Sequence, residues 1–360
     1  MTQTTASAAV RAKQWDDGVF FEYIRDSRFK RYMGQGENAI IQVQRDLTKK
    51  KGDAITFNLV GALDASTYND GTTQLVGNEK AMPNDGHKIT VGVVRDAVVV
   101  NAMDEQASAF DIRDAGRTSI KMLSSRLLKL HIINALGSMQ GINFAATTAG
   151  QKNQWTVANV DRVLFGDAIA NYNATFSTAI NNVTATMKMS ADLVGKAKRI
   201  AQTCKTANGD GIRPYIYNED RETFVMFVGS GAFRDLRADL KSVWQDAQPR
   251  SDENPLFSGP TSVLYDGVVV REIPEIAPIT NTATTPVRLE PWYLCGAQAL
   301  GIAWAKTTKT TIRKEDDYEF QYGVGFMEIR GIDKLLWNQG QATAKDWGMV
   351  TGWVAAAAEQ

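Results

Sequence analysis

The sequence predicts an α+β protein in which a long β-hairpin and a long helix precede a mixed α/β body. Three observations predict it. Ile55-Thr-Phe-Asn-Leu59 and Ile89-Thr-Val-Gly-Val93 alternate apolar and polar residues at period two, as half-buried strands do, and the second runs on into Val98-Val-Val100. Between Asp104 and Leu136 the residues Ile112, Gly116, Ile120, Leu123, Leu127, Leu130 and Ile133 keep an i+3/i+4 stripe. After Met189, helical stripes alternate with β-rich runs, two of which flank the turn Tyr265-Asp-Gly-Val268.

Composition narrows the function before any motif is considered. The chain has 360 residues, 44% hydrophobic and 22% charged, which suggests two or three domains and excludes a disordered, collagenous or coiled-coil chain. Forty basic residues balance forty acidic ones, so no net field draws the protein to nucleic acid or anionic lipid. Two cysteines, Cys204 and Cys295, make neither a disulfide framework nor a structural zinc site and read as buried free thiols. The first residues lack the apolar core of a secretory signal, and no run of about 18 apolar residues occurs. The expectation is a soluble protein kept in a reducing compartment.

The elements follow in order. Small polar residues at the start read as a mobile arm. Phe20, Tyr23 and Ile24 then fall at helical spacing, stopped by Gly34 and Gly36. Asn38 to Leu47 looks extended, and Lys49 to Asp53 is a solvated turn. The two strands that follow are separated by a long polar stretch, Gly61 to His87, too long for an ordinary loop. An isolated hairpin is marginal in water, so something must cover it, and a neighbouring subunit is the expected cover. The helix 104–136, capped by Asp104 or Ser108 and stopped at Gly137, would span about 50 Å as a structural beam. Gly137 to Met189 reads as loops with one or two short helices. Ser190 caps a helix with the stripe Leu193, Ala197, Ile200 and Cys204. Ser230 caps another with Phe233, Leu236, Leu240 and Val243, and strands fill the region from Val287 to Trp337.

Chemistry is sparse. Gly229-Ser-Gly231 follows a strand and opens a helix, where a dinucleotide turn would sit, but Arg234 stands at the third glycine position and Phe233 would crowd a pyrophosphate. A helix cap explains it better. No P-loop, zincin, nucleophile-elbow or CxxC motif is present, and the two histidines, His87 in the long loop and His131 in the helix, do not suggest a catalytic pair. Glu315, Asp316 and Asp317 are consecutive, so an extended segment cannot turn all three to one face. A solvated strand end or a charge-matching contact patch is the reading. The eight tryptophans are scattered as core and interface anchors. No catalytic residue, cofactor or metal site is expected, and the protein reads as a non-enzyme.

This order of parts resembles the major capsid proteins of tailed bacteriophages, whose shared fold is often called the Johnson fold. Leu47 to Phe57 (LTKKKGDAITF), Leu75 to Glu79 (LVGNE), Trp244 to Gln248 (WQDAQ), Asn254 to Gly259 (NPLFSG) and Tyr265 to Val269 (YDGVV) are similar to stretches in a subgroup of that family. The resemblance implies an N-terminal arm at 1–53, an extended loop at 54–101 and a peripheral domain at 102–188 built on the spine helix 104–136. It further implies an axial domain at 189–305, and a return to the peripheral domain with a C-terminal tail at 306–360.

What the resemblance implies for function is a self-assembling structural protein. Pentamers and hexamers would close an icosahedral or prolate shell around double-stranded DNA in the virion, after assembly in the host cytoplasm. A separate scaffolding protein, a portal and cement or decoration proteins are the implied partners, with the DNA not bound sequence-specifically and no membrane involved. Implied subunit contacts are Trp15 and Phe20 in the arm, Tyr68, Leu75, Asn78, Glu79, Lys80 and His87 in the loop, Arg117 on the spine, Trp244 in the body, and Glu315, Asp316 and Asp317. The alternatives are the shell protein of a host-encoded nanocompartment with the same fold, or a soluble α/β enzyme with an unrecognised site.

Overall fold

The computed structural model describes residues 28–45, 52–66, 68, 71–72, 74–108, 111–218, 221–241, 262–316 and 320–358. The predicted arm helix around Phe20, Tyr23 and Ile24 lies outside them, as do the stretches from Trp244 and from Asn254. The chain divides into two units, a smaller one containing Val93–Leu128 and Thr307–Glu328, and a larger one containing Arg28–Gly92, Lys129–Lys306 and Ile329–Gln360.

In the larger unit the predicted hairpin forms. Ala54–Val60 pairs antiparallel with Asn84–Thr90, in register from Ala54↔Thr90 to Val60↔Asn84. Ile55, Phe57 and Leu59 are buried in alternation with exposed neighbours, and with Ile89 they pack on Ala303 and Leu335, with Trp337 and Trp347 at the margin. Two expectations change here. The base of the hairpin is covered by its own chain, not by a neighbour. Its second strand also begins at Asn84, which places His87 inside a strand on the same face as Ile89. His87 is fully buried: its Nδ1 accepts the Leu336 N–H at 3.2 Å, and its Nε2 lies 3.5 Å from Asp333 Oδ2.

The body of this unit is an eight-stranded sheet. Its main path runs Val163–Phe165, Met349–Ala355, Arg288–Cys295, Arg221–Val228, Val268–Glu272, Ser262–Tyr265, with Ile279–Thr280 and Ile216–Asn218 alongside. Helices Ala191–Thr203 and Ser230–Asp239 cover one face through Leu193, Val194, Ala197, Phe233 and Leu236. The opposite face is covered by the region expected to be loops. Helices Ala149–Ala158 and Phe176–Asn181 bring Trp155, Phe176 and Ile180 against Phe165, Leu289 and Trp353. Met349–Ala355 is buried along its whole length, Val350 and Val354 pointing into the first core and Trp353 and Ala355 into the second. The tail, whose place the sequence left open, is therefore an interior strand. A strand buried on both faces shows no alternation, so its periodicity carries no signal.

Local signals hold elsewhere. The Ser190 hydroxyl accepts the Leu193 N–H at 3.3 Å. Asp266 and Gly267 have φ of 47° and 73°, the left-handed pair that a tight two-residue hairpin turn requires. Both cysteines are free and buried.

In the smaller unit the strand order is the 307–316 part of Leu300–Asp316, the 321–328 part of Gln321–Lys334 and the 93–101 part of Gly92–Asn101, the last at the edge. The spine helix is shorter than expected. A six-residue helix, Ala102–Ala107, ends at Ser108, whose φ and ψ of −80° and 142° are extended. The long helix is Ile112–Leu136, about 37 Å at about 1.5 Å per residue. It starts where it does because the Asp111 carboxylate accepts the Asp114 N–H at 3.0 Å, so Asp111 is the cap in place of Asp104 or Ser108. In this unit Ile120, Leu123 and Leu127 of the helix pack on Val94, Val324 and Phe326. Gly137 follows the helix, its N–H bonded to Ile133 O at 3.1 Å, and a Cβ there would meet the Tyr293 hydroxyl at 2.9 Å.

Candidate subunit interface

Beyond Val60 the hairpin opens into a tip, residues 61–83, where several apolar side chains are largely exposed. Tyr68 is 82% exposed, Val76 74% and Leu75 65%; Leu63 and Met82 are also more than half exposed. Exposed apolar groups gathered on one projection are the mark of an interaction surface. The tip has its own internal bonds. Ser66 donates both its hydroxyl and its N–H to the Asp64 carboxylate, each at 2.8 Å, and these bonds hold that carboxyl below the usual range. Lys80 Nζ donates to Asp64 O at 2.5 Å, and the Gly77 N–H to Glu79 Oε2 at 2.8 Å. Asn78 Nδ2 donates to Gln74 O at 2.8 Å. Glu79, Lys80 and Asn78 thus shape the tip, while Tyr68 and Leu75 project from it.

The remaining expected contact residues separate. Arg117 lies on the smaller unit, 3.0 Å from Asp114 in an exposed pair. His87 is a correction: its imidazole is enclosed by its own chain and presents nothing to a neighbour. Trp15, Phe20, Trp244 and Asp317 lie outside the described residues. Glu315 and Asp316 end the strand Leu300–Asp316. Sequence reasoning missed Leu63, Val76 and Met82, isolated apolar spots in a stretch that is mostly polar. It also missed the exposed Val93, Val98 and Val99 of the edge strand, which alternation had marked as half-buried.

The glycine turn at 229–231 is filled from within. The Ala232 N–H donates to Glu290 Oε2 at 2.9 Å, and Arg288 Nη2 lies 3.0 Å from Glu290 Oε1. A Cβ on Gly231 would stand 2.8 Å from Glu290 Oε1, and one on Gly229 would collide with the other oxygen. The glycines let a buried carboxylate reach the helix N-terminus, where an anion is favoured. Glu290 makes this cap; Gly229 is the N-cap residue and the Ser230 side chain plays no part. Among the described residues no group of acids, histidines and cysteines is placed to hold a metal ion, and no helix is long and apolar enough to cross a membrane.

A hairpin whose tip carries exposed apolar side chains is suited to contact with another chain. Known proteins agree. A family model described as phage capsid protein matches residues 3–358. The chain is similar to the protein of the cyanophage Pam1 capsid asymmetric unit at 30% identity and a TM-score of 0.88, over 100% of both chains. It is also similar to the capsid of Ralstonia phage GP4, at 18% identity and a TM-score of 0.76 over 100% of both chains. For the capsid of Helicobacter pylori bacteriophage KHP30 the figures are 13% and 0.69, over 97% of this chain and 96% of that one. These last two likenesses are of fold. No curated protein sequence matches. The chain belongs to the phage capsid protein family, and its role is that of a major capsid protein, a structural component of the virion shell.

Proposed function

We propose that the chain assembles as pentamers and hexamers into a closed icosahedral or prolate shell around the double-stranded DNA of a tailed phage, and that it has no enzymatic activity. Residues 54–101 act as the extended loop, the helix Ile112–Leu136 as the spine, 189–305 as the axial domain and 306–360 as the return to the peripheral domain. The observation that carries this reading is the tip 61–83, whose Leu63, Tyr68, Leu75, Val76 and Met82 are more than half exposed. A neighbouring subunit covers them, and in a ring each subunit gives its tip to one neighbour and receives another's. Trp15 and Phe20 of the arm, Arg117 and the acidic run 315–317 are further contacts in this reading. A scaffolding protein, a portal and cement proteins are the expected partners, and assembly takes place in the host cytoplasm.

The test is electron microscopy with sedimentation velocity on the purified protein, alone and co-expressed with the neighbouring phage genes. Closed particles or rings of five and six support the reading; a uniform monomer under both conditions overturns it. Removing residues 61–83 is expected to abolish assembly while the subunit melts at nearly the same temperature.

A further inference from the structure

The larger unit contains a cavity of about 180 Å³ beside the C-terminal end of the spine helix. Ile133, Phe144, Ile276, Trp155, Tyr293 and Trp353 are among its lining residues. Its mouth is lined by the exposed Asn143, Ala145 and Ala277. Thr351 is 3% exposed and lines the cavity, and its Oγ1 has no hydrogen-bond partner among the described residues. A buried hydroxyl without a partner is costly, so its lining position points to an occupant that supplies one.

We infer that this cavity receives the Tyr68 side chain of a second copy of the chain, with the phenol donating to Thr351 Oγ1. The inference rests on the shell reading above and names the receiving site for the tip. Size is the first argument, since a cavity of about 150 Å³ is enough to hold a benzene ring. Charge is the second. The one cation on the wall, Lys334, is engaged by Asp346 Oδ2 at 3.0 Å and Ser138 O at 2.8 Å, which leaves an apolar chamber suited to a neutral ring with one polar end. The tip is the third. Tyr68 is the most exposed large apolar side chain among the described residues, and the only one so exposed that carries a hydroxyl. Tyr68 lies eight positions beyond the end of the strand at Val60, a reach of about 26 Å when extended.

The test uses particles assembled with the neighbouring phage genes from a mixture of nitrogen-15-labelled and unlabelled subunits carrying Tyr68→p-azidophenylalanine. After irradiation, mass spectrometry should find heavy–light cross-links to the segments 133–145 or 276–279. Cross-links confined to one copy, or made only to other surfaces, overturn the inference while the particles leave the shell reading standing. Absence of particles from the unmodified chain removes both. Ala277→Trp, which fills the mouth from an exposed position, should lower the cross-link yield about tenfold without changing the melting temperature; an unchanged yield counts against the site. Tyr68→Phe and Thr351→Val should each weaken assembly about fivefold, and the double variant no more than either alone. Additive losses would show that the two hydroxyls do not meet.

Discussion

Lys334 Nζ lies 3.0 Å from Asp346 Oδ2 at a point where each side chain is only 1% exposed. The pair is tied into the fold on every side. Trp155 Nε1 donates to Asp346 Oδ1 at 3.2 Å, the Asp346 N–H donates to Asn159 Oδ1 at 2.9 Å, and Arg162 donates to the Asp346 carbonyl. Breaking a buried pair from one side strands a charge. Asp346→Asn is therefore expected to cost about 3–5 kcal/mol, and Lys334→Met with Asp346→Leu together less than the two singles combined. Urea unfolding of Asp346→Asn, the two singles and the double variant measures this, and a double variant worse than the sum of the singles would contradict it.

Asp161 gives acid sensitivity. Burial alone would raise its pKa, but hydrogen bonds and charge from Arg162 and Lys345, at 3.2 and 2.9 Å, outweigh burial and hold it below the usual carboxylate range. The unfolded chain therefore takes up this proton first as pH falls. The contribution is complete above about pH 5 and is lost as pH falls through the lowered folded value. The urea midpoint of Asp161→Asn should lie below that of the parent at neutral pH and approach it in acid. A constant gap would refute the assignment.

Glu290 serves as a helix cap supplied from a distant strand. Glu290→Ala is expected to destabilise by about 2–3 kcal/mol, and Glu290→Gln by less, because the amide oxygen still accepts the Ala232 N–H. Gly229→Ala should be as harmful as the alanine at 290, since its Cβ would occupy the space of the carboxylate. Thermal melts of the three report the order directly.

Burial pushes the thiols of Cys204 and Cys295 up, most strongly for Cys295. With little thiolate and no access, neither should react with a thiol reagent at pH 8 in the folded protein. In urea both should react at least about a hundredfold faster. Rapid modification of the folded chain would show that a core opens locally.

Much of this architecture was legible because local chemistry and tertiary placement agree. The turn at Asp266-Gly267, the Ser190 cap and the Ile120–Leu123–Leu127 face each depend on a few adjacent residues. Where the answer lay far along the chain, it was hidden. Nothing near His87 reveals that Leu336 would offer it an N–H. Nothing near Gly229 shows that Glu290 would arrive to fill the turn. The start of the spine was misplaced: Asp104 and Ser108 are both good capping residues, and propensity alone does not rank them against Asp111. The exposed tip was legible only as a long polar stretch; its isolated apolar spots gain meaning once the structure shows them exposed. The contact residues at 15, 20, 244 and 317 await the assembled particle.

The position of Met349–Ala355 has a consequence for synthesis. Thr351 pairs with Val163 and Trp292 with Gly352, so this late strand separates one edge of the sheet from its centre. Gly352 fits there with Leu164 O and Trp292 so close that a Cβ would stand 2.6 Å from the former. Until the ribosome has delivered this segment, Val163–Phe165 has no partner and both cores lack a wall. A chain released early would expose apolar surface and never reach the shape a neighbour recognises. A fragment that lacks this strand is therefore expected to be cleared by proteolysis instead of joining a lattice.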